Sequence, residues 1–183
     1  MLARVHAGEA NTLVSILTPD LGLVRARAQS LRKSGAKLSS ALATFAESSL
    51  VLVRGKEEWR IAGAVLERNR FFELKNADAR ESAGRVAGLL LRLIPGEEGN
   101  PALFAVLAGF FDVLADPLAS ELELVRSTAE ALVVLRILAA LGLDSGTIPG
   151  EPDDFSDSIL AAIESDRAGY IARINRGIAA SGL

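Results

Sequence analysis

Thr12-Leu13-Val14-Ser15-Ile16-Leu17-Thr18-Pro19-Asp20-Leu21-Gly22-Leu23-Val24-Arg25-Ala26-Arg27-Ala28-Gln29 carries two opposed signals in one stretch. Thr12 to Leu17 is rich in β-branched and aliphatic residues, which suit a strand. Thr18 to Gly22 reads as a turn, because Pro presets φ and Gly accepts a positive one. Leu23 to Gln29 then alternates: Val24, Ala26 and Ala28 share one face, while Arg25, Arg27 and Gln29 share the other. A tight connection followed by alternation predicts a hairpin with one wet face. Working outward, Ser30 to Ser40 reads as a polar, basic connection. Ser48 to Val53 is a further strand, Arg54 to Glu57 a turn, and Glu58 to Leu66 the return strand. Several short strands in so short a span fit a small β-barrel or a sandwich.

From Asn69 the apolar period changes from two to three and four. Asn76 suits an N-cap, and Ala79, Ala83, Val86, Ala87, Leu90, Leu91 and Ile94 follow at helical spacing until Pro95-Gly96. Asn100-Pro101 opens a second helix, to about Ala115. Pro117 is expected to open a long helix through Leu141, closed by Gly142. Asp144 to Asp153 is a loop, and two shorter helices follow, near Ser156 to Glu164 and Arg167 to Ala180; Ile171, Ile174 and Ile178 form a stripe on the second. The expected class is therefore α+β, a small N-terminal β-barrel over residues 1–68 followed by an all-α helical domain over 69–183.

Composition narrows the chemistry. The 183 residues are 50% hydrophobic and 23% charged, with no Cys and a single His, His6. That suffices for a packed core and excludes disulfides, thiol nucleophiles, iron–sulfur clusters and cysteine-based zinc sites. No metal and no cofactor are expected. The longest apolar stretch, Ala131 to Leu143, is 13 residues and is interrupted by Arg136. It falls short of the roughly 20 needed to span a bilayer and reads as a helix buried nearly all round. With no apolar run of signal-peptide length at the start, the expected location is cytoplasmic. The net charge of −3 hides an asymmetry. Residues 1–75 hold 12 Lys and Arg against 7 Asp and Glu, a net +5, whereas residues 76–183 hold 8 against 16, a net −8. A polyanion would bind the first part.

Nothing resembles a catalytic centre. There is no P-loop, no GxGxxG after a strand and no GxSxG, and the lone His6 sits near the chain start, so a non-enzymatic role is expected. Between Leu21 and Ala46 stand five basic residues and no acid: Arg25, Arg27, Arg32, Lys33 and Lys37. Two lie on the outward face of a strand and three on the adjoining connection, an arrangement that offers phosphates fixed cations at little desolvation cost. The bland alternative is a solvated basic face without a ligand. Arg54, Lys56 and Arg60 extend the surface, while Glu57 and Glu58 dilute it. Trp59 shares a strand face with Ile61 and Val65, which favours a core role over base stacking. In the helical part, Arg136 stands alone in an apolar helix. Its stem packs while its head reaches the surface, or it marks the lip of an apolar groove suited to an acidic, hydrophobic peptide end. Arg126, ten residues earlier, lies on roughly the same side.

The ordered set of these segments resembles a known family. Gly8-Glu9-Ala10-Asn11-Thr12 leading into a strand, with Thr18-Pro19 and Gly22 after it, is similar to the opening hairpin of the bacterial RecO family of recombination mediators. Leu31-Arg32-Lys33-Ser34-Gly35-Ala36-Lys37-Leu38, followed by Leu42 and Phe45, resembles that family's basic loop. Leu52-Val53-Arg54-Gly55-Lys56 with Trp59-Arg60-Ile61 resembles its next hairpin, and Leu135-Arg136-Ile137-Leu138-Ala139-Ala140-Leu141-Gly142 its helix end; Ile174-Asn175-Arg176 is a weaker match. The resemblance implies an OB-fold ahead of a helical bundle. It implies binding to single- and double-stranded DNA, annealing of complementary strands, and assistance to RecA loading together with RecR. It also implies contact with the acidic tail of single-stranded DNA-binding protein. Arg25, Arg27, Arg32, Lys33, Lys37, Arg54 and Lys56 would serve DNA, and Arg126 and Arg136 the tail.

Three departures accompany the resemblance. Asp144 to Asp153 stands where many members carry a four-cysteine zinc module, so no zinc is implied. Met1-Leu2-Ala3-Arg4 is shorter than the usual lead-in and is expected to be a remnant of the first strand. Gln29-Ser30-Leu31 replaces a Lys-Gly-small triplet. Two rival readings stay open at this point. One is a non-catalytic adaptor working through its acidic helical part; the other is an OB-type RNA-binding protein, since a basic patch does not read the 2′-OH.

Overall fold

The computed structural model describes residues 1–7, 11–29, 36–56 and 58–183, with backbone alone at 6, 7, 11, 29, 36, 37, 118 and 120. The chain is mixed α and β and divides into two compact units. The first is Met1–Glu73 with Gly96–Gly99; the second is Leu74–Pro95 with Asn100–Leu183.

The first unit is a five-stranded sheet built from β1 (Ala3–Ala7), β2 (Asn11–Thr18), β3 (Gly22–Gln29), β4 (Ala46–Arg54) and β5 (Trp59–Asn69), with helices α1 (Ala36–Ala41) and α2 (Arg70–Glu73). The strand order is β1-β2-β3-β5-β4. All neighbours are antiparallel except β3 and β5, joined by a short parallel ladder. The hairpin expected from the sequence is present, and its turn is closed by Thr18, whose Oγ1 accepts from the Leu21 N–H at 3.0 Å. β1 forms despite the short lead-in, pairing Ala3 with Ser15 through Ala7 with Asn11. Ahead of it, the Phe45 N–H donates to the Met1 carbonyl at 3.0 Å, so the chain start lies against the approach to β4.

The core of this unit is Val14, Ile16, Val24 and Ala26, covered by Leu50, Leu52, Trp59 and Ile61. Alternation holds over Thr12–Ile16 of β2 and Val24–Ala28 of β3, while Leu17 and Leu23 beside the turn are buried as well. On β5 alternation does not hold. Leu52 pairs with Ile61 but Val51 pairs with Gly63, so Ala62 is an extra residue. A bulge of this kind reverses the facing of everything beyond it. Trp59 and Ile61 therefore point into the core, while Val65 is turned outward at 64% exposure. Val51 and Val53 lie exposed on the neighbouring strand.

One further expectation is corrected here: the polar connection expected through Ser40 contains α1, with the buried Ala41 at its end and the wholly buried Leu42 next to it. Beside the five strands, the short segment Gly96–Gly99 packs on the β2–β3 turn. Gly22 adopts φ +69°, and a Cβ there would strike the Glu98 backbone; a Cβ on Gly99 would strike the Asp20 carbonyl. Backbone meets backbone at this contact, which only glycine permits. Glu97 and Glu98 thereby join the β unit. Counted by unit, its 11 Lys and Arg face 9 Asp and Glu, a net +2, and the helical unit carries −5.

The second unit comprises α3 (Ala77–Leu93), α4 (Pro101–Ala115), α5 (Pro117–Glu121), α6 (Glu123–Ala140), α7 (Asp157–Ser165) and α8 (Arg167–Ala180). The N-caps read from the sequence are made: Asn76 Oδ1 accepts from Ala79 N–H at 2.6 Å, and Asn100 Oδ1 from Leu103 N–H at 2.9 Å. Asn100 also donates from Nδ2 to the Ala140 carbonyl at 3.1 Å, tying the start of α4 to the end of α6. The single long helix expected from Pro117 is instead α5 and α6, because Leu122 is extended (φ −85°, ψ 107°). α6 is the central helix, with Ala129, Leu132, Val133, Leu135, Ile137 and Leu138 wholly buried. Gly142 terminates it at φ +72°. On α8, Ile174 is buried and Ile178 packs with it, but Ile171 is 38% exposed. No helix among the described residues is long and apolar enough to cross a membrane.

Candidate nucleic-acid interface

Alternation on β3 sends Val24, Ala26 and Ala28 inward with no exposure, so Arg25 and Arg27 point outward. Arg25 is opposite Ser15 of β2, and Arg27 is opposite Leu13. Across the other edge of β3, Ala26 pairs with Trp59 and Arg27 with Arg60. Register neighbours share a face, so the Trp59 side chain enters the core and Arg60 joins Arg27 on the outside. Like charges set directly opposite one another repel. Part of that repulsion is relieved by Glu58, whose carboxylate lies 2.7 Å from Arg27 Nε. Arg25 and Arg60 are exposed and have no carboxylate partner among the described residues.

The β4–β5 turn, closed by a bond from Gly55 N–H to the Glu58 carbonyl at 2.9 Å, adds Arg54 and Lys56. Lys56 is exposed. Arg54 is committed within the unit: its Nη1 donates to both Glu97 oxygens, at 2.7 and 2.9 Å, and its guanidinium lies 4.9 Å from the Trp59 ring centre. Trp59 thus packs against the core on one side and under a cation on the other, which leaves no open face for a base. Its Nε1 forms no completed hydrogen bond. Even so, the nearby indole N–H, followed by Arg54, holds the Glu97 carboxyl below its ordinary range.

Of the remaining residues chosen from the sequence, Arg32 and Lys33 lie outside the described residues, and Lys37 lies in α1, where only its backbone is described. The residue underweighted by sequence reasoning is Arg60. The signal was present in Glu58-Trp59-Arg60-Ile61, where a Trp directed inward puts the following Arg outward.

The two arginines of the helical unit stand elsewhere. Arg136 is 5% exposed. It donates from Nη2 to the Pro149 carbonyl at 2.9 Å and from Nη1 to the Pro152 carbonyl at 3.0 Å, and it lies 4.8 Å from the Phe155 ring centre. Its head neither reaches the surface nor lies at a groove's lip; it is covered by the loop after α6. Burial lowers its pKa, against the opposing fields of Asp154, Asp153 and Glu151. Arg126 is largely covered and lies 3.4 Å from Asp78. Between α3 and α6, Arg85 grips Glu130 with two bonds of 2.7 Å, and Ser82 adds a third at 2.6 Å. Among the described residues no group of three or more His, Cys, Asp or Glu is arranged to hold a metal ion.

Residues 1–70 match the family described as Recombination protein O N terminal. A protein of Dehalococcoides mccartyi named DNA repair protein RecO is 32% identical over 122 residues, covering 67% of this chain and 48% of that protein. The DNA repair protein RecO of a Roseiflexus species is 33% identical over 125 residues, covering 68% of this chain and 44% of its own. That of Acaryochloris marina is 46% identical over 63 residues, 34% of this chain and 22% of its own. The chain spans about half the length of the relatives it matches. The first 70 residues belong to the RecO family's N-terminal part, and the relatives named DNA repair protein RecO extend the likeness into the helical unit.

Proposed function

We propose that the chain acts in DNA repair and recombination by binding DNA through the outer face of its β unit, with residues 1–68 as the DNA-binding part and 69–183 as a helical domain. The observation that carries this reading is the register of Arg27 against Arg60, with Arg25 two residues along the same face and the Arg54–Lys56 turn beside it. The strand order β1-β2-β3-β5-β4, its parallel β3–β5 pair and the helix between β3 and β4 support an OB-fold. OB-folds bind oligonucleotides on the face of strands 2 and 3 and on the loops after strands 1 and 4; Arg25 and Arg27 belong to the first of these and Arg54 and Lys56 to the last.

Contacts of this kind go to phosphates. They screen the repulsion between two strands while leaving base edges free to pair, which is what annealing requires; no active site is needed. Single- and double-stranded DNA are the proposed ligands, and Arg32, Lys33 and Lys37 are further proposed DNA contacts. RecR, single-stranded DNA-binding protein and, through them, RecA are the proposed partners, as the family resemblance of the sequence implies. The test is strand annealing with bare and with protein-coated single strands. Acceleration of both, lost when Arg32, Lys33 and Lys37 are together replaced by Ala, is the expected result. No acceleration of either, with no DNA binding, would overturn the reading.

A further inference from the structure

Within the helical unit, α4, α5, the starts of α6 and α7 and the loop before α7 line an open groove of about 570 Å3. Its floor is apolar: Ala108, with the buried Phe155 and Leu160. The loop can approach because α4 carries Gly109 at the contact, where a Cβ would press on the Asp153 backbone. Every charged residue lining the groove is a carboxylate, namely Asp112, Asp116, Asp153 and Asp157, and all four are exposed. The two groups that the sequence offered as cations for a peptide end, Arg126 and Arg136, do not line it.

An apolar floor inside an anionic rim selects its occupant by charge. Nucleic acid and acidic peptides are repelled, whereas a segment with Lys or Arg on one side and an apolar side chain on the other satisfies both surfaces at once. We propose that this groove docks a cationic segment of a partner protein, anchored by one aliphatic or aromatic side chain over Phe155 and Leu160. The site is independent of the DNA surface: the β unit takes a polyanion and the helical unit a polycation, each by its own lining charges.

The test is fluorescence anisotropy of the full chain with a short labelled peptide of Lys and Leu, beside the same peptide with Glu in place of Lys. Binding of the Lys peptide alone, weakened about tenfold in Asp112→Asn/Asp157→Asn, is the expected result. Hydrogen exchange should slow at the Ala108 and Phe155–Leu160 amides when that peptide is bound. A second variant, Ala108→Lys, plants a cation on the floor and should also abolish binding; if it fails to fold, the Asn pair decides alone. Equal affinity of wild type and Asn pair would overturn the proposal. So would tighter binding of the Glu peptide, or occupation of the groove by a second copy of the chain, seen as concentration-dependent dimers lost in the Asn pair.

Discussion

Arg27 of β3 and Arg60 of β5 are directly opposed in the short parallel ladder that joins the two halves of the sheet, and among the described residues only Arg27 of the two is paired to a carboxylate, Glu58. Two adjacent guanidiniums on a sheet face cost stability. Removing one should therefore leave the fold as stable or slightly more so while weakening DNA binding. Arg60→Ala is expected to change the unfolding free energy by less than about 0.5 kcal/mol and to lower single-strand affinity measurably. Denaturant melts beside filter binding check both. A stability loss with unchanged affinity would make Arg60 a structural residue only.

Arg136 makes the opposite prediction. Its guanidinium bridges two carbonyls of the loop after α6 beneath a buried environment, so Arg136→Met should strand both acceptors and cost about 2–4 kcal/mol. Arg136→Lys should recover only part, because an ammonium does not present the forked pair of donors. DNA affinity should be unchanged in the folded fraction. Thermal melts followed by far-ultraviolet dichroism read the loss.

Much of this was legible beforehand, and the misses have physical causes. The β-branched run of β2, the alternation of Val24, Ala26 and Ala28 on β3 and the Asn76 and Asn100 caps are local signals, and each formed where the residues indicated. Val65 was misplaced because a bulge at Ala62 resets the period, and nothing in Ile61-Ala62-Gly63 marks which residue is the extra one. The break at Leu122 carries neither Gly nor Pro. α1 was hidden by Ser39-Ser40, which masked the Leu38, Ala41 and Leu42 spacing. Arg136 read as a cation reaching the surface or the lip of a groove because the loop that covers it lies 13 to 16 residues away in sequence.

Acid should unfold the helical unit through specific carboxylates. Burial works to raise the Glu130 carboxyl, but the bonds from Arg85 and Ser82 outweigh it and hold it below its ordinary value. Asp144 is held low by its bond to Arg173. A carboxyl whose folded pKa is depressed stabilises fully above its unfolded value, about 4, and the contribution is lost as pH falls through the folded value. Helical dichroism should thus be flat from neutrality to about pH 5 and decline below about pH 4. Glu130→Gln should flatten part of that decline. Trp59, the sole Trp, reports the β unit separately by fluorescence.

The docking of Gly96–Gly99 on the β2–β3 turn depends on two missing side chains. Gly22→Ala meets both a positive φ and the Glu98 backbone, and should cost at least about 1–3 kcal/mol. Gly99→Ala meets the Asp20 carbonyl and the Pro19 oxygen and should cost less, since its φ lies outside the left-handed region. Trp59 fluorescence during urea unfolding ranks the two; equal effects would mean that the contact, and not the turn conformation, dominates.

The claim that the outer β face binds DNA backbone is tested most directly by the salt dependence of single-strand binding. Each phosphate contact contributes about −0.7 to the slope of log affinity against log salt. Replacing Arg25, Arg27 and Arg60 together by Ala should make that slope shallower by about 2, with the fold intact by Trp59 fluorescence. A triple variant that keeps both the affinity and the slope of the parent chain would contradict the account.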